Sequence, residues 1–165
     1  MIGNDIIDLE VSRTESNWKR RGFLEKIFSE NELKIISSSE NPEILVWSLW
    51  SKKEAAYKIY NRQTRIREFI PKCIECSINC LSNENLLGLV KIKELSYFTR
   101  TEITTSFIYT EAVINPNDFR KIRAIETADV YKDQNGIPSA KFSNNSVSIT
   151  HHGKFERQIQ LDVKT

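Results

Sequence analysis

The 165-residue chain contains no long uncharged apolar run, so no membrane span is expected. Its first ten residues, Met1–Glu10, carry no basic stretch followed by a long apolar one, so they are not expected to act as a signal peptide. Cysteines number three, an odd count for a disulfide framework, and a reducing, cytoplasmic setting is the simpler expectation. The net charge of +2 does not argue for bulk nucleic-acid binding, which needs a stronger basic excess. There is no internal repeat and no low-complexity segment, and the two histidines stand together at 151 and 152. What remains is an ordinary soluble composition, 39% hydrophobic and 28% charged, on a chain long enough to bury a core.

Ile2 to Val11 is apolar and β-branched, and reads as a strand interrupted by Asp5 and Asp8. Ser12 to Phe28 reads as one helix or two short ones, with Gly22 as a break. Ser29-Glu30-Asn31-Glu32 is a capping-box pattern that opens a helix running through Ile36. Asn41 then supplies an N-cap, Pro42 suits the first helical position, and a helix is expected from Pro42 to about Asn61. Beyond Arg67 the period becomes two, with Ile74, Cys76, Ile78 and Cys80 on one strand face. Turns are expected at Ser82–Asn85 and at Asp133–Gly136. Further strands are expected over Leu86–Leu95, Ile103–Ile114, Ser146–Thr150 and Gln158–Val163. Segregated helices and mainly antiparallel strands predict an α+β fold with helices packed on one face of the sheet.

On the long helix, Ser51, Glu54 and Lys58 share a face with Trp47 one turn earlier. Glu54 and Lys58 fit an exposed i,i+4 ion pair worth about 0.3–0.5 kcal/mol. The ion pair is the plainer reading, and the sharper one is a carboxylate that binds a divalent cation, beside lysines that hold phosphate. Asp5 bears on that choice, because a carboxylate in an apolar strand is costly unless it is paired, solvated or bound to a metal. Gly3 beside it would let another backbone or a ligand approach closely. His151 and His152 end a strand, Ser148-Ile149-Thr150, that runs into a turn at Gly153.

Together these segments resemble the 4′-phosphopantetheinyl transferase superfamily, in particular its short holo-acyl-carrier-protein synthase type. The resemblance rests on Gly3-Asn4-Asp5-Ile6-Ile7-Asp8, then Phe28-Ser29-Glu30-Asn31-Glu32, then Trp50-Ser51-Lys52-Lys53-Glu54-Ala55-Ala56-Tyr57-Lys58. Two weaker matches follow, Gly136-Ile137-Pro138 and Ser148-Ile149-Thr150-His151. It implies a single domain over residues 1–165 that moves the 4′-phosphopantetheine arm of coenzyme A to a serine of an apo acyl (or peptidyl) carrier protein, as in fatty acid biosynthesis. Adenosine 3′,5′-bisphosphate is the other product. By the same resemblance Asp5 and Glu54 hold Mg²⁺, and Lys58 and Lys53 contact phosphate. Ser51 stands where substrate is touched, and His151 lies near the nucleotide. Glu54 and Lys58 are the catalytic candidates, and the proton of the carrier serine passes to Glu54 or to a metal-bound water. Lys52 has no assigned role beyond solvation. Ile7 stands where larger members carry an extra acidic residue, which favours the short type. That type is usually a homotrimer of shorter chains, and the greater length here leaves the oligomer open.

Five basic residues, Arg13, Lys19, Arg20, Arg21 and Lys26, face only two acidic ones in the same stretch. They suit an acidic carrier protein, with a solvated helix face as the plainer alternative. A non-catalytic basic module that binds acidic proteins or RNA explains this cluster but leaves Asp5, Glu54 and Lys58 as coincidence. Zinc or an iron–sulfur centre at Cys73, Cys76 and Cys80 is disfavoured, because such sites normally take four ligands.

Overall fold

The computed structural model describes residues 1–81, 85–126, 130–134, 136–143 and 145–162, with backbone alone at 78–81 and 85–86. The chain opens with strand β1 (Ile2–Asp8), then helices α1 (Leu9–Glu15), α2 (Phe23–Ile27), α3 (Glu30–Ser37) and α4 (Pro42–Thr64). Strands β2 (Ile74–Leu81), β3 (Asn85–Ile92), β4 (Leu95–Ile103) and β5 (Phe107–Val113) follow. After a short 3₁₀ turn come β6 (Ile122–Ala124), β7 (Val130–Lys132), β8 (Pro138–Ala140), β9 (Ser146–His152) and β10 (Phe155–Leu161). The α+β class expected from the sequence holds. Among the described residues the strands divide into two five-stranded antiparallel sheets, ordered β1-β5-β4-β3-β2 and β6-β10-β9-β8-β7.

Local chemistry sets the boundaries. β1 ends three residues earlier than hydrophobicity suggests, because the Asp8 carboxylate accepts from the amides of Glu10 and Val11 and starts α1. The capping box at Ser29 forms as expected, with Ser29 and Glu32 bonding each other's backbone amides. Asn41 caps α4 and Pro42 is its first residue. That helix runs one turn past Asn61, to Thr64 and a left-handed Arg65. The stretch read as Leu86–Leu95 and Ile103–Ile114 contains three strands, since β4 pairs on one edge with β3 and on the other with β5. The expected turn residues Ser82–Glu84 and Asn135, the facing of Ile78 and Cys80, and Val163 lie outside the described residues.

α4 packs against the first sheet, and the core forms along it in two clusters, one on its N-terminal half and one on its C-terminal half. One cluster joins Ile7, Leu9, Phe28, Ile36, Trp47 and Leu49, and a second joins Ala55, Ile59, Val90, Tyr97 and Ala112. A third, with Ile2, Val113, Ile159 and Leu161, seals the two sheets together.

The join between the sheets is unusual. Among the described residues the free edge of β1 is not extended by another backbone ladder. The amides of Ile2, Asn4 and Ile6 instead donate to the hydroxyls of Ser146 (3.2 Å), Ser148 (3.0 Å) and Thr150 (3.2 Å). The amide of Asp8 donates to His152 Nδ1 at 2.8 Å. Alternate side chains of β9 thus do the work of a neighbouring strand, which leaves no orphaned donors on a buried edge. The β9–β10 turn completes the join. Lys154 N donates to Asp8 Oδ2 (3.2 Å), and a Cβ at Gly153 would stand 2.3 Å from that oxygen.

Candidate functional site

β1 and the middle of α4 bring Asp5 and Glu54 to one place. Gly3 makes this approach feasible, because a Cβ there would lie 2.0 Å from the main-chain oxygen of Ala55. Asp5 is buried, and its Oδ1 accepts from Thr150 Oγ1 at 3.3 Å and faces Lys58 Nζ at 3.8 Å. Its other oxygen, Oδ2, is buried with no hydrogen-bond partner. Burial holds the Asp5 carboxyl above the usual carboxylate range, with Lys58 opposing the shift. Burial, and then the Asp5 charge, push Glu54 up to about 7. Two coupled carboxylates, one with an orphaned oxygen, form a site that is electrostatically unsatisfied as it stands.

The pair suits a divalent cation of a particular kind. Among the described residues no three His, Cys, Asp or Glu gather to hold a metal by themselves. Magnesium does not need that many, since it binds through one or two carboxylates and completes its shell with water and phosphate oxygens. Asp5 and Glu54 fit that requirement.

Two cavities meet at Asp5 and His151. One, about 390 Å³, is largely apolar and aromatic, walled by Phe23, Ile27, Trp47 and Trp50 with Asp5 and Glu54 at its edge. The other, about 410 Å³, carries Lys58, Arg62, Lys132 and His151, with Ile137 and Pro138 in its wall. A larger open groove lined by Ile44, Arg100, Tyr109 and Glu111 contains none of the expected metal ligands.

The structure thus gathers Asp5, Glu54, Lys58 and His151. Lys58 spans the two sheets as well, donating to Asn4 O (2.6 Å) and Ile149 O (3.3 Å). His151 is exposed between the cavities, whereas the neighbouring His152 turns inward to the β1 edge.

Lys53 and Ser51 are placed elsewhere than expected. Lys53 is fully buried on the opposite side of α4, with Nζ 2.7 Å from Glu32 Oε2 and within 3.1 Å of the carbonyl oxygens of Ile27, Pro71 and Ile74. Four acceptors saturate three N–H donors, so this ammonium ties α4 to α2, α3 and β2 and does not reach phosphate. Ser51 is also fully buried, and its hydroxyl donates to the main-chain oxygen of Asp5 at 3.4 Å. It braces β1 from the side of α4. Lys52 is not solvated either. It is fully buried, donates to Thr99 Oγ1 at 3.2 Å, and is pushed down to about 8 by burial.

The Lys53–Glu32 pair carries a direct prediction. Lys53→Met strands the Glu32 carboxylate in the core and is expected to cost about 3–5 kcal/mol, seen as a lowered urea midpoint. A loss below about 1 kcal/mol would show that the pair contributes little beyond packing.

Arg62 was not singled out by sequence. Its guanidinium donates to Ser146 Oγ (2.7 Å) and to Pro138 O (3.0 Å), fastening the basic cavity's wall to α4. Its spacing of four and eight from Lys58 and Glu54 was the available signal. In the basic segment, Lys19, Arg20 and Arg21 are exposed, whereas Arg13 is held in a forked pair with Glu43 at 3.1–3.2 Å. Cys73 is exposed and Cys76 is partly buried, and both are free thiols. Among the described residues no helix is long and apolar enough to cross a membrane.

Residues 1–107 match the family model described as the 4′-phosphopantetheinyl transferase superfamily. No curated protein sequence matches the chain. The matched span contains Asp5, Glu54 and Lys58, while Thr150 and His151 lie beyond it.

Proposed function

This chain belongs to the 4′-phosphopantetheinyl transferase superfamily, and we propose that it moves the 4′-phosphopantetheine arm of coenzyme A to a serine of an apo acyl or peptidyl carrier protein. Adenosine 3′,5′-bisphosphate leaves. The observation that carries this reading is the buried, unpartnered Oδ2 of Asp5 beside Glu54, at the meeting point of a basic and an apolar cavity. A non-catalytic binding module leaves that arrangement unexplained.

Asp5 and Glu54 would hold Mg²⁺. Once bound, the ion supplies Lewis acidity and charge neutralisation at a diphosphate. The residues of the chain do the remaining work. Lys58, close to Asp5 and half-exposed, places positive charge where phosphate oxygens gather. Arg62, Lys132 and His151 give the basic cavity the character needed for the phosphorylated nucleotide. The apolar cavity suits the pantetheine arm, with exposed Lys19, Arg20 and Arg21 nearby in sequence to Phe23 on its rim. Those three cations, and Arg13 more weakly because Glu43 already pairs with it, offer an acidic carrier protein a complementary surface. Substitution at phosphorus draws mainly on positioning and charge stabilisation, which this arrangement provides. The serine proton passes to water or to a Glu54 carboxylate oxygen that the cation leaves free.

Incubation with an apo carrier protein, coenzyme A and Mg²⁺ is expected to raise the carrier's intact mass by about 340 Da, the phosphopantetheinyl group. Removal of the metal by chelation is expected to stop the reaction. Unchanged mass across acyl and peptidyl carriers, with folded protein, would sink the proposal.

A further inference from the structure

One residue beyond the matched span governs how Asp5 presents its free oxygen. Thr150 Oγ1 stands 3.2 Å from Ile6 N and 3.3 Å from Asp5 Oδ1. The Ile6 amide can only donate, so the hydroxyl accepts there. A hydroxyl has one proton of its own, and the carboxylate can only accept, so that proton goes to Asp5. The two bonds are therefore directional and coupled. The strand's own backbone fixes the hydroxyl, and the hydroxyl fixes one carboxylate oxygen. The other oxygen, Oδ2, is left buried and unpartnered.

The other three side chains that line the edge of β1 do only the first half of this task. Ser146, Ser148 and His152 accept from the amides of Ile2, Asn4 and Asp8. Among the described residues Thr150 alone of the four also bonds a carboxylate that faces the cavities.

We propose that Thr150 is a positioning residue for the metal site, locking Asp5 in the rotamer that aims Oδ2 at the cation. This rests on the reading of Asp5 as a metal ligand. Partners of this outer kind commonly change metal affinity ten- to a hundredfold when removed.

The test is Mn²⁺ binding in the presence of coenzyme A, followed by the paramagnetic resonance signal of the free ion, with thermal melting measured alongside. Thr150→Val keeps the branched shape and loses both bonds, whereas Thr150→Ser keeps both. Ser148→Ala removes the equivalent acceptor for Asn4 N and leaves the Asp5 carboxylate alone. Asp5→Asn tests the underlying reading. We expect Thr150→Val to weaken Mn²⁺ about ten- to a hundredfold. Thr150→Ser and Ser148→Ala are expected to stay near wild type in affinity, although Ser148→Ala lowers the melting temperature. If Thr150→Val fails to fold, Thr150→Cys, with its weak donor, is judged by the same criterion. Wild-type affinity in Thr150→Val, with binding lost in Asp5→Asn, overturns the positioning role and leaves the metal reading intact. Equal weakening in Ser148→Ala overturns it as well, since the loss then follows from loosening of the β1 edge. Unchanged binding in Asp5→Asn, or no binding by the wild type, overturns the metal reading and the positioning role with it.

Discussion

Glu54→Gln is expected to reduce phosphopantetheinyl transfer by a factor on the order of a hundred to a thousand or more, while making the metal-free protein more stable at pH 8. Both effects share one cause. Glu54 is pushed up to about 7 by burial and by the Asp5 charge, so its ionised form is disfavoured in the folded protein. Its unfolded value is near the ordinary carboxylate range, about 4.3. Between those two values the folded state binds more protons than the unfolded one. Stability contributed by this group therefore falls as pH rises through that window and stays low above it. The amide variant carries no such liability. Its melting temperature is expected to exceed wild type at pH 8 and to converge with it near pH 5. Saturating Mg²⁺ with coenzyme A is expected to raise the wild-type melting temperature by more than coenzyme A alone does, and the variant's by no more than coenzyme A alone. Transfer within twofold of wild type in Glu54→Gln would refute the metal-ligand role. A stability difference that is the same at pH 5 and pH 8 would refute the electrostatic cause.

The second large effect is structural. Gly3→Ala places a Cβ 2.0 Å from the main-chain oxygen of Ala55 and 3.3 Å from Ile59 Cγ1. The first of these is backbone in the middle of α4 and cannot swing aside as a side chain would. β1 must instead back away from the helix, against the packing of Ile7 and Trp47 in one cluster and Ala55 and Ile59 in the other. Overpacking in a tight core costs about 1–3 kcal/mol and sometimes more, and a loss of about 3 kcal/mol or more is expected here. Asp5 and Glu54 sit on the two elements that would separate, so metal affinity is expected to fall with stability. Urea denaturation and Mn²⁺ binding on the same sample check both. A variant that melts within a degree of wild type would mean that β1 and α4 are not in this close contact.

Much of the candidate site was legible because its residues sit at fixed local spacing. Glu54 and Lys58 are one helical turn apart, and the helix that carries them announces itself with an N-cap, a proline and an apolar side. Asp5 was legible as an anomaly, a carboxylate in an apolar strand. The capping box from Ser29 to Glu32 spans four consecutive residues, and it formed as read.

Other residues misled for an equally physical reason. Lys52 and Lys53 are charged, and charge on a helix ordinarily means solvent. Lys52 reaches Thr99 on the first sheet and Lys53 reaches Glu32 at the start of α3, so two positions that a surface helix would expose are buried. Glu32, twenty-one residues before Lys53, supplies the counter-charge, and no local pattern announces that pairing. The alternation of Ser146, Ser148, Thr150 and His152 is visible in the sequence, but period two alone does not tell which face is buried or what it meets.

The amino-acid sequence by itself determined the α+β class, the capped long helix and the family to which the chain belongs, because these depend on local periodicity and on short motifs in order. Only the tertiary structure decided which lysine meets Asp5 and which is a core tie, that the strands form two sheets, and that β9 serves the edge of β1 through its side chains. Those outcomes depend on contacts between residues far apart in the chain, such as Asp5 with Thr150, 145 positions on. Spacing along the chain carries no information about such contacts until packing has brought the elements together.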